Sequence, residues 1–272
     1  MRPLATIILI ASVTVELGIA SVHESQSGGA GPAVLGLDHV PIAVRDLEAA
    51  AATYRTLGFS LKPGRPHDNG IRNQHVKFAD GTELELITAP EARDALTTTY
   101  RRHLEQGDGP AFLALFIPDA ARIPRELHPS LDYLFFGPRN ASPTDKPEHF
   151  AHLNTASSLI SVWLAGDDLQ QERTLFAKLG GTMTKRQVHV PDTAQADVVS
   201  FREGNVLLLP GSHQRVKGRP IVGVTLRVKD LGIARAVLRS QGIAVSAEGA
   251  GSTSVFVPPD RCHGLWLEFR AK

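Results

Sequence analysis

Three stretches of this chain share one layout, and no other feature limits its fold as tightly. The first runs His39-Val-Pro-Ile-Ala-Val-Arg-Asp46-Leu and reaches Leu57-Gly58-Phe59. The second runs Ile160-Ser-Val-Trp-Leu-Ala-Gly-Asp-Asp168-Leu to Leu179-Gly180-Gly181, and the third Val222-Gly-Val-Thr-Leu-Arg-Val-Lys-Asp230-Leu to Gln241-Gly242-Ile243. The spacing from Asp to Gly is the same each time: 46 to 58, 168 to 180, 230 to 242. A repeat of this kind means stacked copies of one supersecondary unit. Apolar residues alternate before each Asp, the period of a half-buried strand. The Asp stands where a helix N-cap is needed, and its carboxylate accepts from unpaired amides. Apolar positions then recur seven apart, at Leu47 and Tyr54, Leu169 and Phe176, Leu231 and Leu238, which puts one stripe of a helix on the sheet. The Gly ends the helix in the left-handed region.

Three strand-like segments follow each helix. They are 59–61, 71–78 and 83–87 in the first copy, 182–189, 197–201 and 206–209 in the second, and 243–247, 252–257 and 265–269 in the third. A turn glycine, Gly81, Gly204 or Gly264, precedes each last strand. Between the first two copies lies a degenerate one. Ala111–Asp119 is a strand reaching a capping Asp, 120–127 a short helix limited by Pro124, 131–136 a strand, and 150–155 a candidate for another. The expected fold class is therefore α+β, with four βαβββ modules making two tandem domains, 35–157 and 158–272.

Residues 1–22 differ from the rest. Arg2, an apolar run from Leu4 to Val15, and small residues at Gly18, Ala20 and Ser21 have the pattern of an export signal, although Glu16 interrupts it. The run is shorter than the about 20 apolar residues a bilayer span needs. The expectation is a periplasmic or secreted protein with no stable membrane span after cleavage; an N-terminal anchor is the alternative. Residues 23–34 read as a linker. Net charge is +1 and there is no Lys/Arg run, so nothing here recruits nucleic acid. The single cysteine, Cys262, excludes an intrachain disulfide. Neither a Walker-type phosphate loop nor a GxSxG elbow is present.

Strand parity places the chemistry. In the first module Val40, Ile42 and Val44 share one side with Leu84, Leu86, Val76 and Phe78, the helix side. His39, Glu83, Glu85, Asn73, His75 and Lys77 then share the other, the cleft side. Imidazole and carboxylate converging there suit a divalent metal such as Zn, Mn, Fe(II) or Ni. A hydrogen-bonded Asn–His–Glu network is the alternative use of the same residues.

The stretch Leu37-Asp38-His39-Val40-Pro41-Ile42-Ala43-Val44-Arg45-Asp46-Leu47, with Gly81-Thr82-Glu83-Leu84-Glu85-Leu86-Ile87-Thr88, resembles the bacterial glyoxalase-like subgroup of the vicinal-oxygen-chelate superfamily. The resemblance spans 36–270 and is poorest in the second module. It implies that His39 and Glu85 are metal ligands, with Glu83 as the rival carboxylate. It also implies a third ligand from Glu148-His-Phe-Ala-His-Leu-Asn154, where His149 and His152 are the candidates and His152 is taken, because the His-x-Asn step resembles an element of that subgroup. His75 or Glu83 would carry the proton. The expected function is a metal-dependent isomerase or lyase acting on a small substrate with neighbouring oxygens. The alternative is a non-catalytic protein that sequesters a small molecule. Oxygen insertion is disfavoured, since Ser161 and Gly223 stand where a tandem dioxygenase would keep histidines. Glu268 is read as a surface or interface carboxylate beside Arg227 or Arg270, and Trp163 and Trp266 as pocket-lining or packing residues. Whether domains pair within one chain or across a homodimer is left open.

Overall fold

A computed structural model describes residues 32–243 and 253–271. The proposed export segment, most of the linker, and most of the strand expected at 243–247 lie outside the described residues. The first module is β1 (Gly36–Leu37) and β2 (His39–Ala43), α1 (Leu47–Thr56), β3 (Lys62–Pro63), β4 (Arg72–Lys77) and β5 (Glu83–Thr88). An added helix α2 (Ala95–Glu105) leads to β6 (Gly109–Pro110), and the second module keeps only β7 (Leu113–Phe116) and β8 (Leu134–Gly137). The third is β9 (Ala156–Gly166), α3 (Gln170–Lys178), β10 (Thr182–Val190), β11 (Asp192–Phe201) and β12 (Gly204–Pro210). The fourth is β13 (Ile221–Val228), α4 (Leu231–Ser240), β14 (Ser254–Val257) and β15 (Trp266–Arg270).

Each module closes by setting its first strand parallel to its last: β2 on β5, β7 on β8, β9 on β12, β13 on β15. Asp46 accepts from the amides of Glu48 and Ala49, Asp230 from that of Ile233, and Asp168 from that of Gln170. Gly58, Gly180 and Gly242 have φ of 90°, 94° and 67°, the left-handed region that side chains resist. The repeat spacing is thus the length of one capped helix. The stripes face the core, with Leu47, Tyr54, Leu169, Phe176 and Leu238 buried and Leu231 partly buried.

The modules join in pairs. β9 and β13 pair antiparallel, merging the third and fourth modules into one seven-stranded sheet. In the N-terminal half the equivalent junction is bent. β1 and β2 are split at Asp38, β6 and β7 at Ala111–Phe112, and β2 pairs β6 while β1 pairs β7. A five-stranded sheet, β3-β4-β5-β2-β6, therefore faces a three-stranded one, β1-β7-β8.

Three expectations need correcting. The strand expected at 59–61 falls instead at β3, Lys62–Pro63, and 59–61 is outside any strand. Residues 150–155 are not a strand. They form the end of a 3-10 turn (Pro147–Phe150) and a tight bend with Thr155 at φ 59°. Asn154, fully buried, ties that bend down, donating to the Leu57 carbonyl and accepting from the Ala156 amide. The segment 120–127 makes only a three-residue 3-10 turn, Ala120–Arg122, capped by Asp119. Among the described residues no helix is long and apolar enough to cross a membrane.

Candidate functional site

The ladder of the first module arranges its cleft-side residues in rows. Lys77 is opposite Glu83, and Glu83 opposite His39. In the next row Lys62 is opposite His75, His75 opposite Glu85, and Glu85 opposite Pro41. Val40, Ile42, Leu84, Leu86 and Val76 fill the other side and are fully buried. A one-residue slip would exchange these faces, so the apolar side fixes the register that assembles the polar one.

At one end of the rows His39 Nε2 stands 3.6 Å from Glu85 Oε2. Each partner has a polar group behind it. Asn73 Nδ2 donates to Glu85 Oε1 at 2.6 Å, and Asp38 Oδ2 lies 3.4 Å from His39 Nδ1. The bend at Asp38 is what brings that carboxylate beside the imidazole. In the centre His75 Nδ1 is 3.2 Å from Glu83 Oε1, and Lys77 Nζ is 3.7 Å from Glu83 Oε2. At the far end Lys62 and Lys77 both reach Asp145, at 2.5 and 2.9 Å. The opposite wall is aromatic: Phe135 of β8 meets the His39 ring edge-on at 5.2 Å, backed by Phe112 and Tyr100.

The electrostatics follow from this crowding. Burial opposes a charged imidazole at His39, but Asp38, then Glu83 and Glu85, outweigh it and push its pKa up to about 9. Burial likewise works against charge on His75, yet its bond to Glu83 raises its pKa. Glu83 moves the other way: burial is overcome by His75, His39 and Lys77, and its pKa falls. Burial, and then the Glu85 charge, raise the Tyr100 hydroxyl well above its usual range. Among the described residues, buried Asp38 Oδ1, His39 Nδ1, Asn73 Oδ1 and Glu83 Oε2 find no hydrogen-bond partner. Such orphans cluster where a ligand or ion completes the set.

The His39–Glu85 pair has the donor types and spacing of two ligands to one metal ion. Two N/O donors of one ion, each bound at about 2.1 Å, stand about 3–3.5 Å apart. The observed gap is close to that, and the carboxylates that make His39 hold a proton also attract a cation. Among the described residues, however, no three His, Cys, Asp or Glu side chains are grouped as a metal centre.

His152 does not join His39 and Glu85. Its Nδ1 accepts from the Ser60 amide, its Nε2 bonds the Lys77 carbonyl, and its ring meets Phe59 and Phe78 edge-on, on the helix side of the sheet. Burial lowers its pKa, so it stays neutral with both nitrogens used. The His-x-Asn step is a structural clamp in which His152 and Asn154 both hold the end of α1. His149 caps the Lys146 amide on a surface turn. Glu83 is only 1% exposed on its side chain, whereas His75 is 12%, so His75 is the member of that pair a small molecule can meet.

The second half keeps a carboxylate but not its partner. Glu268 is not at the surface: it is fully buried, accepts from Thr225 and Ser254, and takes two bonds from Arg270. Trp163 donates to Thr225 and lies over Gly223, whose missing side chain makes room for the indole. With Phe256, Val190, Ala194 and Ala196 it fills that face with apolar packing. Sequence reasoning missed Lys62, Tyr100, Phe135 and Asp145 as cleft residues. Lys62 lies one residue past the strand expected at 59–61, while Asp145 comes from a loop with no period to read.

Residues 37–150 match the family model described as a glyoxalase-like domain. No curated protein matches the sequence. Among solved structures, the chain is similar to a xylose isomerase-like TIM barrel/4-hydroxyphenylpyruvate dioxygenase fusion protein, at TM-score 0.61 and 10% identity, with 90% of this chain covering 50% of that one. The chain therefore spans half the length of that fusion protein. It is also similar to a mutant of 4-hydroxymandelate synthase from Streptomyces coelicolor (TM-score 0.60, 14% identity, 88% of this chain and 92% of that). The 2,3-dioxygenase LapB from Pseudomonas sp. KL28 gives TM-score 0.59 at 15% identity, over 89% and 94%. Identities this low carry the fold and not the reaction. Residues 37–150 match a glyoxalase-like domain, and the chain shares with these solved structures an α+β fold of paired βαβββ modules.

Proposed function

We propose that the first-module cleft is the catalytic site of a metal-dependent isomerase or lyase acting on a small substrate with two neighbouring oxygens. The single observation behind this is the His39–Glu85 pair, in which Asn73 donates to Glu85 and the Asp38 carboxylate lies 3.4 Å behind His39, where the outer partners of metal ligands generally stand. His39 and Glu85 would hold the ion, Zn, Mn, Fe(II) or Ni, and substrate or water oxygens would complete it. When bound, the ion supplies Lewis acidity that polarises a carbonyl or steadies an enolate. Glu83 accepts from His75 Nδ1, which leaves His75 Nε2 free to take and return a proton. Phe135, Phe112 and Tyr100 exclude water from the opposite side. Glu83 is a positioning residue, and His75 is the proton carrier.

The test is proton exchange. The metal-loaded protein in heavy water should wash deuterium into the carbon next to the carbonyl of a small hydroxyketone such as hydroxyacetone. His75→Ala should slow this by about 10²–10⁴-fold, the usual worth of a positioned acid–base group. Equal exchange in wild type and His75→Ala would overturn the assignment. One observation favours a second reading, a non-catalytic sequestering protein: His152 is engaged elsewhere, and no third ligand is grouped with the pair. Ligand binding by metal-free protein without any exchange would support it. Export through residues 1–22 remains part of the proposal.

A further inference from the structure

We propose that this cleft takes a small hydroxy- or oxo-acid, whose carboxylate seats on Lys62 and Lys77 where Asp145 now lies. The inference rests on the reading that a small molecule binds in the first-module cleft, and it names the substrate's charged end.

Two ammonium groups converge there from neighbouring strands. The Lys77 side chain is 1% exposed and that of Lys62 is 9%. Burying an ammonium costs several kcal/mol unless it is paired, and an apolar residue would fill either position without that cost. Their shared partner is Asp145, delivered by the segment 138–146 that connects β8 to the 3-10 turn. That segment lies outside the sheet, and Asn140, Ala141, Pro143, Thr144 and Lys146 on it are exposed. Among the described residues, the Asp145 carboxylate is otherwise held by the Ser142 amide of its own loop, and the Asn140 carbonyl of that loop also accepts from Lys77. An incoming carboxylate can therefore replace Asp145 one for one with no change in local charge, and the loop carboxylate moves to water with its Ser142 bond intact.

The seat also has the right address. Lys62 is directly opposite His75 in the ladder, and Lys77 is on the same strand, two residues on. An acid held there presents its adjacent carbon and oxygens towards His75 and the His39–Glu85 pair. The lysines thus select for an acid over a neutral hydroxyketone, and Asp145 guards the seat when it is vacant.

Calorimetric titration of lactate and of its uncharged amide, lactamide, into the full chain tests this. Asp145→Asn should bind lactate at least tenfold more tightly than wild type, with lactamide unchanged. Lys62→Gln in the Asp145→Asn background should abolish the gain. Lys62→Gln alone, which leaves Lys77 and Asp145 paired, should weaken lactate binding by at least tenfold, so a poorly folding Asp145→Asn does not block the test. Equal lactate affinity in wild type and Lys62→Gln, or a gain in Asp145→Asn shared by lactamide, would overturn the proposal. If deuterium washes into hydroxyacetone while lactate shows no such selectivity, the acid seat fails and the catalytic reading stands. If lactate selectivity appears without any exchange, the catalytic reading fails and the seat stands.

Discussion

Replacing Asp145 by Asn should destabilise the protein at neutral pH and lose that effect in acid. The carboxylate accepts from Lys62 at 2.5 Å and from Lys77 at 2.9 Å. Breaking a buried ion pair costs about 3–5 kcal/mol, whereas an exposed one contributes about 0–1 kcal/mol. Asp145 lies between these cases, since its side chain is 16% exposed and Lys77 keeps Glu83 at 3.7 Å as a second counter-charge. A loss of about 2 kcal/mol is expected, a fall in Tm of about 4–8 °C for a chain of this size. The pH dependence has a definite sign. Partial burial raises the Asp145 pKa, but Lys62, Lys77 and the Ser142 amide outweigh it and hold the carboxyl well below the usual range. A carboxylate depressed on folding contributes fully above its unfolded pKa of about 3.9 and loses that contribution as pH falls towards the folded value. Thermal melts of wild type and Asp145→Asn from pH 7 to pH 2.5 should therefore show a gap that is constant down to about pH 4 and narrows below it. A gap under 1 °C at pH 7, or one unchanged at pH 2.5, would refute the reasoning.

Other consequences are equally direct. Glu268→Ala should cost about 2–4 kcal/mol in chemical denaturation, because it strips the acceptor from buried Thr225 and Ser254; a loss below 0.5 kcal/mol would contradict the buried network. Asp46→Ala should cost about 1 kcal/mol through the lost amides of Glu48 and Ala49, with the His39–Glu85 chemistry unchanged. Expressed in bacteria with residues 1–22 in place, the protein should be recovered from the periplasm shortened by about that length; an intact chain in the cytoplasm would end the export proposal.

Much of this was legible in the sequence because it depends on periodicity. The Asp-to-Gly spacing fixes a capped helix, and alternation fixes strand faces, so His39, His75, Glu83 and Glu85 fall on one side by parity alone. Where a residue's position depends on the path of an irregular segment, the reading fails. His152 and Asp145 sit in the same stretch between β8 and β9, yet one clamps the back of the sheet and the other enters the cleft, and nothing local distinguishes them. Helix α2 was passed over because Thr97-Thr-Thr is a β-branched run with weak helix preference. Its signal was the Asp94–Thr97 capping box and the burial of Thr97, Tyr100 and Leu104 along one face. Glu268 was misread because its solvation depends on Arg270 folding back over it, a side-chain choice that spacing does not encode.

Metal titration of the purified chain bears most directly on whether His39 and Glu85 act as one cation site. Stripped wild-type protein should bind one Zn or Mn ion per chain. His39→Ala and Glu85→Ala should each lose that binding, while His152→Ala and Glu268→Ala should keep it in whatever fraction stays folded. An unchanged affinity in His39→Ala, or a loss in folded His152→Ala equal to that in Glu85→Ala, would contradict the assignment.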